Sequence, residues 1–165
     1  MLNEYEIKQV WEGMLSAEIR ANYFADLSRR YHWRQRAITW AILFTSSGAC
    51  VALIKEISQI WPWVAPVLAL ATVGLSFYGV VSQNQRSATD TADLHFRWNK
   101  LASDYKRLWS DTSAATAHVT LKELVEKAGD ISKTATSFPA KQRLLTKWQN
   151  HVEAHHGVKE PVATS

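Results

Sequence analysis

Ala37–Ile54 reads AITWAILFTSSGACVALI, and Ile57–Gln85 reads ISQIWPWVAPVLALATVGLSFYGVVSQNQ. The first run is 18 residues without a charge and the second is 29. Lys55 and Glu56 separate them, so every other Asp, Glu, Lys and Arg falls in residues 1–36 or 86–165. A helix needs about 20 apolar residues, within a range of about 17–25, to cross a hydrocarbon core ~30 Å thick. Both runs reach that range. A core helix of a small bundle would turn a polar face to water, and neither run has a charged one. The two runs therefore predict a transmembrane helical hairpin.

The averages hide this pattern. The chain has 165 residues, 47% hydrophobic and 21% charged, with a mean hydropathy of −0.20. Those values describe a small soluble domain, because they mix two apolar runs with two polar flanks. The single Cys, Cys50, excludes a disulfide framework and a Cys-cluster zinc site. Of eight Trp, Trp33 and Trp40 stand at the start of the first run and Trp61 and Trp63 open the second, with Tyr78 near its end. Such rings favour the headgroup level of a bilayer. A cleaved signal peptide is not expected, because 36 charge-rich residues precede the first run.

Lys and Arg counts set an expected orientation. Arg20, Arg29, Arg30, Arg34 and Arg36 precede the first run, and Arg86, Arg97, Lys100, Lys106 and Arg107 follow the second. Lys55 alone lies between, which places both termini in the cytoplasm. Arg29, Arg30, Arg34, Arg36, Arg97, Lys100 and Arg107 are the candidates for contact with lipid headgroups or with the phosphate of a soluble ligand. Nucleic acid is not an expected partner: the net charge is only +4 and no recognisable nucleic-acid module is present.

The flanks read as helices. Ile7, Trp11, Met14, Leu15, Ala17, Ala21, Phe24, Leu27 and Tyr31 form one apolar stripe at three- and four-residue spacing. Leu94, Trp98, Leu101, Tyr105 and Leu108 are spaced four, three, four and three, a heptad seam that must bury itself against another helix. The partner is the N-terminal helix of the same chain or its copy in a neighbouring subunit. The expected layout is an amphipathic cytoplasmic helix over 1–36, membrane helices over 37–54 and 62–82, and a short outer loop over 55–61. A heptad-like helix over 83–110, a short helix over 114–128, a C-terminal helix over 138–156 and a disordered tail over 157–165 complete it. Gly129 should end the short helix, and Ser137 should cap the last one with Pro139 in its first turn.

Neither run contains Asp, Glu, Lys, Arg or His, which argues against a pump or coupled transporter. Each has a small, uncharged face: Thr45, Ser46 and Gly48 in the first, Ala69, Thr72, Ser76 and Gly79 in the second. Small residues let helix backbones approach, so these positions are a helix-packing face or the weakly polar lining of an oligomeric pore. No nucleophile elbow, phosphate loop or catalytic dyad occurs, and no enzyme activity or cofactor is expected. His151, His155 and His156 lack a carboxylate–His metal signature, and no metal site is expected.

The basic stretch RRYHWRQR (Arg29–Arg36), the small-residue stretch TSSGA, the run-end SFYGVVSQNQRS and the helix ATDTADLHFRWNKLASDYKRLW resemble the SLATT family, two-span membrane effectors of bacterial conflict systems. The resemblance covers residues 18–109. It implies an all-α membrane protein of the bacterial inner membrane, with long cytoplasmic helical extensions and both termini inside. It implies a homo-oligomer that forms or gates a pore in anti-phage defence, triggered by a sensor protein or a nucleotide second messenger. The alternative is a scaffold membrane protein that recruits a cytoplasmic partner through its helices, with a holin-like channel as a third reading.

Overall fold

The structure is a computed structural model, and it describes residues 2–46, 62–81 and 84–157. These form five helices: α1 (Glu4–Ser46), α2 (Val64–Val81), α3 (Asn84–Ser110), α4 (Ala117–Ala135) and α5 (Gln142–His155). No strand occurs among the described residues. The chain divides into two compact units, Met1–Leu27 with Asp90–Ser165, and Ser28–Thr89. Helices α1 and α3 contribute to both.

The expected transmembrane hairpin is corrected. Among the described residues no helix is long and apolar enough to cross a membrane. The described part of the first run is short. After Arg36, α1 continues only to Ser46 in the described chain, which is ~15 Å at 1.5 Å per residue, half the hydrocarbon thickness. Pro62 and Trp63 form a turn instead of opening the second helix. That leaves α2 with 18 residues, or ~27 Å. Residues 47–61 and 82–83, which hold the rest of the first run and the expected outer loop, lie outside the described residues, as do residues 158–165 of the expected tail over 157–165.

Helix α1 begins with a reciprocal cap. The Glu6 N–H donates to Asn3 Oδ1 and the Asn3 N–H donates to Glu6 Oε2, both at 2.8 Å. Two of the helix's orphan donors are satisfied in this way. The absence of Gly or Pro between residues 14 and 47 lets the helix run for 43 residues.

In the first unit, α1 and α3 lie antiparallel. The Leu2 N–H donates to Thr112 O at 3.2 Å, Trp11 packs against Trp109 with the rings tilted by 47° and 5.1 Å between centroids, and His95 Nδ1 lies 2.8 Å from Ala21 O. The core between them comprises Val10, Met14, Ala17, Ala21, Tyr23, Phe24 and Leu27 from α1 and the whole seam Leu94, Trp98, Leu101, Tyr105 and Leu108 from α3. Helix α4 adds Ala117, Leu121 and Leu124, and α5 adds Leu144 and Val152. Val125, next to Leu124 on α4, is exposed.

Gly13 of α1 lies against the Tyr105 ring of α3. A Cβ there would stand 2.7 Å from Tyr105 Cζ, so any other residue would force the ring to shift. Burial of the Tyr105 ring raises its phenol above the usual 10.0. The unfolded chain then releases this proton at lower pH than the folded one, so stability falls as pH rises through and beyond 10.0. Tyr105→Phe keeps the ring and removes the titration. Chemical denaturation between pH 9 and 11 should show a shallower alkaline loss for the variant; equal slopes would exclude Tyr105 as the source.

Two expected boundaries move. Gly129 does not end α4, which continues through Asp130 to Ala135. Ser132 Oγ accepts from Arg20 Nη1 at 2.7 Å, which holds this last stretch against α1. The hydroxyls of Thr136 and Ser137 then donate to Lys133 O and Thr134 O, at 2.7 and 2.8 Å, and close the helix end. Ser137 is therefore not the cap of α5, which starts at Gln142 after Lys141. Tyr23 holds the intervening loop: its hydroxyl donates to Pro139 O at 3.3 Å and accepts from the Lys141 N–H at 3.2 Å. Gly157 follows α5 in the left-handed region at φ 68°, where a Cβ would be strained.

Candidate functional site

The heptad seam is spent inside the chain. Leu94, Trp98, Leu101, Tyr105 and Leu108 are all buried in the first unit, so none of them offers a surface to another subunit. Arg20, which the hydrophobic pattern gave no reason to single out, joins three helices. Its guanidinium lies 4.7 Å from the Trp98 ring while donating to Ser132. Two His–Glu pairs tie the later helices to α1: His118 Nδ1 with Glu6 Oε1, and His156 Nε2 with Glu18 Oε2 at 2.9 Å.

The Glu6 carboxylate is held below its ordinary 4.5, first by the Asn3 backbone N–H and then by His118. A depressed carboxylate contributes stability above its unfolded value and loses it as pH falls through the folded one. Glu6→Gln should therefore flatten the acid-side decline of the melting temperature below pH 4.5. Parallel declines in variant and parent would show that the cap is not coupled to folding.

The basic residues of α3 and α4 form shallow, internally balanced clefts. Arg97, Lys100 and Lys127 line a cleft of about 240 Å³ over Leu101 and Ile131, and Asp104 and Asp130 line the same cleft. Arg97 Nε is already 2.7 Å from Asp93 Oδ2. Arg107 and Lys127 face a second cleft of about 300 Å³ together with Asp104, Asp111 and Glu123. Carboxylates line both clefts together with these cations, so neither cleft presents the one-sided positive charge that a phosphate requires. Tyr105, buried against Gly13, is not placed to stack on a base.

The second unit differs. In it α1 packs against α2, where Gly79 stands next to Ile38, and against the start of α3, where Ser28 Oγ donates to Ala88 O at 3.1 Å. Gly79 thus serves helix packing within the chain, while Ala69 is exposed and Thr72 and Ser76 are half-buried. Ser76 Oγ donates to Thr72 O at 2.8 Å, in its own helix. Gly48 lies outside the described residues, and Thr45 and Ser46 are described only as the backbone end of α1.

Large apolar side chains of this unit stand in the open. On α2, Val67, Leu70, Val73 and Phe77 are exposed, and on α1, Trp33, Trp40, Leu43 and Phe44. Leu70 and Phe77 are 73% and 68% exposed, against 1–5% for the seam of the first unit. Arg29, Arg30, Arg34 and Arg36 are exposed at the other end of the same stretch of α1. The charge-free runs announced the apolar residues; the exposure of their faces needed the structure. No protein-family profile, curated protein or solved structure matches the chain.

Proposed function

We propose that the protein is a membrane-acting effector of a bacterial anti-phage defence system, which oligomerises and permeabilises the inner membrane when triggered. The observation that carries this reading is the exposed apolar surface of the second unit, in helices that carry no charge from Ala37 to Ser46 or from Val64 to Val81. An apolar surface of that kind has to be covered, by lipid or by protein. The resemblance to SLATT effectors supplies the biological setting, including a sensor protein or nucleotide messenger as trigger and cytoplasmic placement of both ends. The α3 seam is buried in its own chain, so a scaffold reading would need another helix face to recruit a partner.

The test is permeability. Purified full-length protein added to dye-loaded vesicles made from bacterial inner-membrane lipid should release the dye, and expression in bacteria with the trigger should collapse the membrane potential. Tight vesicles and an intact potential would overturn the proposal.

A further inference from the structure

One face of α1 carries Arg29, Trp33, Arg36, Trp40 and Leu43, spaced four, three, four and three, with Phe44 alongside. All six are exposed. Along the helix axis their chemistry changes in one direction, from guanidinium, through alternating indole and guanidinium, to indole and then pure hydrocarbon. Arg29 to Leu43 spans ~21 Å, and Arg36 to Phe44 ~12 Å. A bilayer leaflet has the same order in depth: phosphates outermost, then the interfacial region favoured by Trp, then about 15 Å of hydrocarbon.

The charge is one-sided. Between Ser28 and Thr89 the sequence holds one carboxylate, Glu56, outside the described residues, against Arg29, Arg30, Arg34, Arg36, Lys55 and Arg86. Arg29, Arg34 and Arg36 have no ion pair among the described residues. The clefts of the first unit, by contrast, set carboxylates beside their cations.

Resting on the bilayer reading above, we propose that this graded face selects anionic phospholipid. Arg29 and Arg36, with Arg34 at the same axial level on another side of α1, engage lipid phosphates, Trp33 and Trp40 sit at the interface, and Leu43 and Phe44 enter the acyl layer of the same leaflet. A protein groove would cover the apolar end but gives no reason for the axial order. A second copy would set arginine against arginine or against apolar surface, because the face holds no carboxylate of its own.

Flotation of the full-length protein with two vesicle types tests this. One is pure phosphatidylcholine, and the other equal parts phosphatidylcholine and phosphatidylglycerol. At low salt, binding to the mixed vesicles should be on the order of a hundredfold tighter, from three arginines at the surface, and the preference should shrink as salt rises. Arg29→Gln with Arg34→Gln and Arg36→Gln should bind both vesicles alike, at the level of phosphatidylcholine. The corresponding triple Lys variant, which keeps the charge, should retain the preference. Equal binding of the parent protein to both vesicle types would overturn anionic selection and leave the bilayer reading standing. Binding to neither would overturn the bilayer reading itself. A triple Gln variant that keeps the preference, or a triple Lys variant that loses it, would also overturn the proposal.

Discussion

Trp98→Ala should lower the unfolding free energy by about 3–5 kcal/mol, the range for deleting a large buried aromatic. Trp98 is 2% exposed in the α1–α3 seam, with the Arg20 guanidinium over its ring. Truncation leaves a cavity between two helices and removes a cation–π contact of about 0.5–2 kcal/mol. The indole Nε1 has no hydrogen-bond partner, so Trp98→Phe loses ring area but no hydrogen bond. It should cost far less than the alanine variant. Urea denaturation of the parent and both variants measures the difference. Equal losses for Phe and Ala would show that the seam is not closely packed at this point.

Leu70→Glu together with Phe77→Glu should abolish bilayer binding while leaving the fold intact. Each apolar side chain transferred from water to hydrocarbon contributes about 1.5–3 kcal/mol. Losing two of them, with a carboxylate to be desolvated at each site, corresponds to at least about a thousandfold in partitioning. Both positions are open to solvent in the isolated chain. Helix content and the unfolding transition of the first unit should therefore stay as in the parent protein. Vesicle flotation and circular dichroism together read the two arms. Undiminished flotation of a folded double variant would mean that the α2 face is not the lipid-facing surface.

Periodicity alone makes the α3 seam legible: all five positions spaced for burial are buried. The same pattern on α1 picks out Met14, Ala17, Ala21, Phe24 and Leu27 but not Val10 or Tyr23. Tyr23 is buried because its hydroxyl bridges to the loop before α5, an interaction between residues more than a hundred positions apart that no local window contains. The end of α4 escapes the local pattern for a related reason. Gly129 is a local stop signal, but the bond from Arg20 to Ser132 favours continuing the helix past it. The basic residues look equivalent in the sequence. The structure separates Arg97, paired with Asp93, and Arg107, which shares a cleft with three carboxylates, from Arg29, Arg34 and Arg36, which have no ion pair among the described residues.

The two charge-free runs by themselves determine that part of this chain is apolar beyond what a small soluble domain would carry. They do not set how much of each run is helical. Tertiary structure decides that α2 opens after Pro62–Trp63 and leaves 18 helical residues, and among the described residues no helix reaches across a membrane. It also decides which apolar surface is used up and which remains. The seam of α3 is consumed by α1 because antiparallel packing brings Gly13 and Tyr105 into contact. The outer faces of α2 and of the second half of α1 stay open to solvent. Composition is a property of each residue, whereas exposure is a property of its neighbours, and only the folded chain specifies those.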